Sequence, residues 1–107
     1  MAYASKADEN QVRVVEELRA YGCKVDHTHT LRRGRPDIIV GYAGWLFWFE
    51  LKRNEREELT DKEAAFFNEW DGMPILRADS ADGAIRSMDL WIRGWVLMYA
   101  EQFKVKV

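Results

Sequence analysis

A chain of 107 residues, 48% hydrophobic and 32% charged, is enough for one domain with a real core and too short for a second. Sixteen Lys and Arg against eighteen Asp and Glu leave a net charge of −2, so no molecule-wide basic field exists and any phosphate-binding surface must be local. The single cysteine, Cys23, excludes an internal disulfide framework and a Cys-rich zinc module. The opening MAYASKADEN lacks the apolar stretch of a signal peptide, and no run approaches the ~20 apolar residues of a membrane span. A soluble, cytoplasmic protein is the expectation.

Helical spacing of Val14, Val15, Leu18 and Tyr21 predicts a first helix from about Asp8 to Tyr21, stopped by Gly22. Residues 23–29 fit a short strand, with Cys23, Val25, His27 and His29 on one side and Lys24, Asp26 and Thr28 on the other. After the loop LRRGRP come two apolar runs, Asp37–Val40 and Trp45–Lys52, joined through Gly41-Tyr42-Ala43-Gly44 as a hairpin. Residues 53–59 have no apolar periodicity and read as an exposed, mobile loop. Thr60 with Glu63 forms a capping box, opening a helix with a buried stripe of Phe66, Phe67 and Trp70 that Gly72 closes. Met73–Arg77 reads as a strand, Ser80 as the cap of a further helix, and Met88–Phe103 as helical and aromatic. The order α-β-β-β-α-β-α predicts an α/β domain with a mixed sheet.

The hairpin carries the chemistry. With Val40 opposite Trp45, one face holds Ile38, Val40, Trp45, Phe47, Phe49 and Leu51. The other holds Asp37, Ile39, Leu46, Trp48, Glu50 and Lys52. Asp37 and Glu50 then become diagonal neighbours, roughly 7–8 Å apart. Two converging carboxylates suit a hard divalent cation, which acidifies bound water and stabilises phosphoryl charge. Lys52 projects the same way and can orient that water, so the set suits phosphodiester hydrolysis. Pro-Asp alone is an ordinary turn starter and Glu-x-Lys alone an ordinary ion pair. Their matching parity on adjacent apolar strands favours a site.

Gly34-Arg35-Pro36-Asp37-Ile38-Ile39-Val40 followed by Glu50-Leu51-Lys52 resembles the PD-(D/E)xK nuclease superfamily, and within it the small VRR-NUC and Holliday-junction-resolvase-like proteins of phages and prophages. The Asp8-x-Asn10-Gln11 opening, the Gly41–Gly44 turn and Leu59-Thr60 agree. The resemblance covers about residues 7–86 of a single nuclease domain, with 88–107 a C-terminal aromatic helical extension. It implies a restriction-endonuclease-like αβββαβ core and Mg²⁺- or Mn²⁺-dependent DNA cleavage in a bacterial or phage-infected cell. It also implies Asp37, Glu50 and the Leu51 carbonyl as metal ligands and Lys52 as the catalytic lysine. Where many members have a glutamate on the first helix, this chain has Gln11. Gln11 sits three, four and seven residues before Val14, Val15 and Leu18, so it is expected to face inward. It either completes a cap with Asp8 or assists metal or water, and Glu9 points elsewhere.

Lys24, Arg32, Arg33 and Arg35, with His27 and His29, form a basic stretch leading into Asp37, whereas residues 53–71 hold three basic and seven acidic side chains. That stretch is the expected grip on DNA phosphates, its bland alternative being a solvated loop. His27 and His29 lack a third His or Cys ligand, which argues against zinc. Cys23 reads as a small core residue. The tail is broken by Asp89, Arg93 and Glu101 and lacks the basic face of a membrane-surface helix. It either covers the sheet or makes a dimer contact. The expected activity is that of a Mg²⁺-dependent endonuclease on branched DNA, acting as a homodimer without a small-molecule cofactor. The rivals are a non-catalytic DNA-binding or assembly module, and a nuclease for simple duplex or RNA.

Overall fold

A computed structural model describes residues 6–32, 34–54 and 56–103, apart from the side chains of residues 6–8 and 103. The order is α1 (Lys6–Tyr21), β1 (Lys24–His27), β2 (Ile38–Tyr42), β3 (Trp45–Leu51), α2 (Asp61–Glu69), β4 (Ile75–Ala78) and α3 (Ala81–Phe103). The sheet runs β1-β2-β3-β4, antiparallel at its first two pairings and parallel between β3 and β4. That is the expected mixed α/β architecture.

α1 buries Val14, Val15 and Leu18. It ends in a Schellman motif, Gly22 N–H on the Arg19 carbonyl and Cys23 N–H on Leu18, with Gly22 at φ +117° where a side chain would be strained. The core-facing side of the sheet supplies Val25, Ile38, Val40, Phe47, Phe49 and Leu51. Ala81, Ala84, Ile85 and Met88 of α3 complete the core, and Cys23 is buried in it as expected. Burial raises the pKa of the Cys23 thiol. Ser80 caps α3, its Oγ accepting the Gly83 N–H at 3.0 Å, and the helix then runs unbroken to its exposed aromatic end. Among the described residues no helix is long and apolar enough to cross a membrane.

The hairpin register departs from expectation by two residues. Tyr42 pairs with Trp45 and Val40 with Phe47, around the two-residue turn Ala43-Gly44. Both turn residues have positive φ, +53° and +85°, the type I′ geometry whose twist matches that of the strands. Gly41 therefore belongs to β2 and not to the turn. A two-residue shift preserves parity, so both faces keep their predicted membership. β1 is shorter than expected: it stops at His27, and Thr28 turns inward and is buried. β4 begins two residues later than predicted.

α2 has the predicted capping box but no fully buried residue. Phe66 and Phe67 are half-buried and Trp70 is exposed, so the expected buried stripe is instead a ring cluster lying on the outer face of the sheet. Trp48 makes edge-on contacts with Phe66 and Trp70, at 5.2 and 5.1 Å between ring centres. The segment before α2 is exposed but tethered. Arg53 pairs with Glu57 at 2.9 Å, and Arg77 donates to the carbonyls of Asn54 and Glu57.

Candidate active site

β2 and β3 deliver their charged residues to one end of the sheet. With Ile38 paired to Phe49, the next step brings Asp37 level with Glu50, directly across the hairpin and not diagonal as expected. The ladder changes hands there. The Asp37 N–H donates to the Phe49 carbonyl at 3.0 Å, and Asp37 Oδ2 accepts the Leu51 N–H at 2.7 Å. A side-chain oxygen thus takes over the strand pairing and fixes the Asp37 carboxylate against β3.

The approach to Asp37 is held by Thr28. Its N–H donates to the Asp37 carbonyl at 2.8 Å, its hydroxyl donates to the Pro36 carbonyl at 2.7 Å, and that oxygen accepts Trp48 Nε1–H at 2.7 Å. Gly34 (φ +81°) lies so close to α2 that a Cβ there would meet the Lys62 carbonyl oxygen at 2.8 Å. The Arg35 guanidinium stacks 4.1 Å over the Phe66 ring.

Glu50 and Lys52 are 2% and 7% exposed, unusual for charged residues without partners. Lys52 Nζ lies 2.8 Å from Glu63 Oε1 and 3.6 Å from Glu50 Oε1. Burial drives the pKa of Glu50 up to about 10, with the nearby carboxyls of Glu63 and Asp37 acting in the same direction. Burial also raises Asp37, against the lowering effect of the Leu51 N–H. Burial alone would raise Glu63, but hydrogen bonds with Glu50, Lys52 and the Thr60 N–H bring it down to about 2. Burial opposes charge on Lys52, yet Glu63 raises its pKa. These shifts favour an ammonium–carboxylate pair between Lys52 and Glu63 beside a protonated Glu50.

The donors fit a hard divalent cation. Asp37 and Glu50 present opposed carboxylate oxygens, and among the described residues Glu50 Oε2 is buried with no N–H or O–H donor. A proton shared with Glu63 or Asp37, or a bound cation, would satisfy it. No group of three His, Cys, Asp or Glu among the described residues forms a ready-made metal cage. A cation held here would rely on the pair of acids and a main-chain oxygen.

The remaining sequence candidates separate. His27, His29 and Gln11 line a cleft of ≈ 330 Å³ with Val12 and Asp37, the two imidazoles 5.7 Å apart edge-on. Gln11 is half-buried, its amide 3.4 Å from His27 Nδ1, so it reaches the rim of the site and not its floor. Asp8, its proposed capping partner, has a side chain outside the described residues. Arg32 is exposed beside Arg35, and Arg33 lies outside the described residues. Lys24 does not join the basic lip. Antiparallel pairing sets it opposite Gly41, at the far end of β1.

Sequence reasoning missed Asn10. It is buried, donating from Nδ2 to the Lys52 carbonyl at 3.1 Å and the Asp79 carbonyl at 3.3 Å, with Arg13 bonded to its Oδ1. The signal was its i, i+4, i+8 relation to Val14 and Leu18. Thr28 and Glu63 were missed as site residues too.

One solved structure, described as a VRR_NUC domain, superposes on this chain with a TM-score of 0.59 at 22% identity, covering 80% of this chain and 97% of that one. The fold is of the VRR-NUC type. No protein-family model and no curated protein sequence matches the chain. In the VRR-NUC-type fold found here, the hairpin and its parallel neighbour β4 are the elements that assemble Asp37, Glu50 and Lys52.

Proposed function

We propose that this protein is a metal-dependent DNA endonuclease selective for branched DNA, of use in recombination, repair or phage replication. The observation that carries the proposal is the meeting of Asp37, Glu50 and Lys52 at one buried sheet end, on a VRR-NUC-type fold. Asp37, Glu50 and the Leu51 carbonyl would hold Mg²⁺ or Mn²⁺. Bound there, the ion would supply Lewis-acid stabilisation to the scissile phosphate and lower the pKa of water. Lys52 orients the attacking water and offsets charge gathering on the phosphoryl oxygens. Hydrolysis forms one P–O bond to that water and breaks one to the leaving sugar oxygen. His27 and His29 line the cleft as phosphate contacts, Arg32 and Arg35 in the loop leading to Asp37 offer further ones, and Gln11 reaches the cleft through His27. Cutting two strands calls for two such sites, which a homodimer supplies.

The test is cleavage of a labelled four-way junction beside matched linear duplex, flap and RNA, with Mg²⁺, Mn²⁺ or EDTA. Paired metal-dependent cuts in the junction, lost in Glu50→Gln with binding retained, are expected. Cutting that persists in purified Glu50→Gln refutes the site. Binding without cutting under any metal points to a non-catalytic module. Sedimentation reads the oligomeric state.

A further inference from the structure

We propose that Glu63 is the positioning residue for Lys52, so that α2 supplies a third acid to the site. The proposal deepens the nuclease reading and rests on it for the role of Lys52. Among the described side chains of α1, Asn10 and Gln11 approach the site, both neutral and engaged: Asn10 on the Lys52 and Asp79 carbonyls, Gln11 on His27. Glu63, by contrast, puts Oε1 at 2.8 Å from Lys52 Nζ, nearer than Glu50 at 3.6 Å.

The same oxygen has a second duty. Glu63 Oε1 accepts the Thr60 N–H at 2.8 Å, while Thr60 Oγ1 accepts the Glu63 N–H at 3.2 Å. One carboxylate oxygen therefore closes the capping box and grips the lysine. An ammonium has three directional donors, and the acceptor nearest to it decides where the others point. Lys52 lies just beyond the last residue of β3, where its N–H and carbonyl are tied to Ala78 and Asn10, which fixes the base of its four-carbon stem. Glu63, 16% exposed, anchors the far end of that stem.

Glu63 owes its place to the docking of α2. The Trp48–Phe66–Trp70 rings, the Arg35–Phe66 stack and the Gly34–Lys62 approach hold the helix over the outer face. The aim of Lys52 is thus set by a helix that contributes no fully buried residue.

Glu63→Gln separates the two duties, because Gln at the third helical position also closes a capping box. Glu63→Gln is expected to keep the cap and the wild-type DNA affinity, with a drop in melting temperature from the lost Lys52 ion pair that is smaller than in Glu63→Ala. Its kcat should fall about 10- to 100-fold with KM unchanged. Glu63→Ala should lose kcat similarly and melt lower still. A Glu63→Gln enzyme with wild-type kcat overturns the proposal and leaves Glu63 a capping residue only. Nitrogen-detected NMR of the Lys52 ammonium reads the grip without cleavage. A slowly exchanging resonance, present in wild type and absent in Glu63→Gln, supports the positioning role even if the wild type cuts no DNA, in which case only the nuclease reading falls. A resonance unchanged by Glu63→Gln overturns the positioning role.

Discussion

Glu50→Gln should stabilise the metal-free protein while destroying its proposed function. Glu50 is 2% exposed, and its folded-state pKa of about 10 lies far above its ordinary 4.5. A carboxyl whose pKa is raised by folding contributes stability that is fully present below the unfolded value and is lost as pH climbs towards the folded one. Above about pH 4.5 the unfolded chain releases this proton and the folded chain keeps it, costing up to about 1.4 kcal/mol per pH unit. By about pH 7.5 the ceiling is near 4 kcal/mol, and sharing the proton with Asp37 and Glu63 brings the expected cost to about 2 kcal/mol. An amide of the same shape escapes that cost. Glu50→Gln should therefore melt about 10 °C above wild type in EDTA near pH 7.5, with the gap closing near pH 4. Saturating Mg²⁺ should raise the wild type alone and narrow the gap. Calorimetric melts at both pH values check this. A variant no more stable than wild type near pH 7.5, or a gap equally large near pH 4, refutes the electrostatic account.

Three other substitutions probe how the site is held. Thr28→Val removes the hydroxyl between the Pro36 carbonyl and Trp48 Nε1–H, and should cost about 1–3 kcal/mol in denaturant melts and weaken Mg²⁺ binding through Asp37. Gly34→Ala forces a side chain into a positive-φ position against the Lys62 carbonyl, and should cost more than about 1 kcal/mol while loosening α2, read by Trp fluorescence around Trp48 and Trp70. Asn10→Leu strips Lys52 and Asp79 carbonyls of their donor, and should cost about 1–3 kcal/mol and lower cleavage with little change in DNA affinity.

The two faces of the hairpin were legible because apolar and polar residues alternate, and that pattern survives a shift of two. The exact register was not, since Gly41-Tyr42-Ala43-Gly44 reads equally as a four-residue connection or as strand plus tight turn. Lys24 looked like part of the basic lip by closeness in sequence, but antiparallel pairing carries it to the Gly41 end. Thr28 looked like an outward strand residue, and the early end of β1 turned it in. Asn10 and Gln11 flank one helical stripe, and counting turns cannot tell which of the two overlies the end of β3. Glu63 was already explained locally by its cap, while its contact with Lys52 depends on where α2 lands.

The charges of the site make proton and cation competitors. If Asp37, Glu50 and Glu63 were all ionised against Lys52 alone, two negative charges would be left uncompensated under α2. A divalent cation would cancel that excess; without one, protons would, chiefly on Glu50. Cation binding must then expel a proton, so the apparent affinity for Mg²⁺ should rise with pH, by up to about tenfold per unit below the pKa of the group displaced. Titration calorimetry in buffers of different ionisation enthalpy should show about one proton released per ion near pH 7. In Glu50→Gln both the release and the pH dependence should shrink. An affinity that stays level between about pH 6 and pH 8, with no proton released, would mean that Glu50 is already ionised in the empty site. Its buried Oε2 would then need a partner other than a proton, and the stability gain predicted for Glu50→Gln would vanish with it.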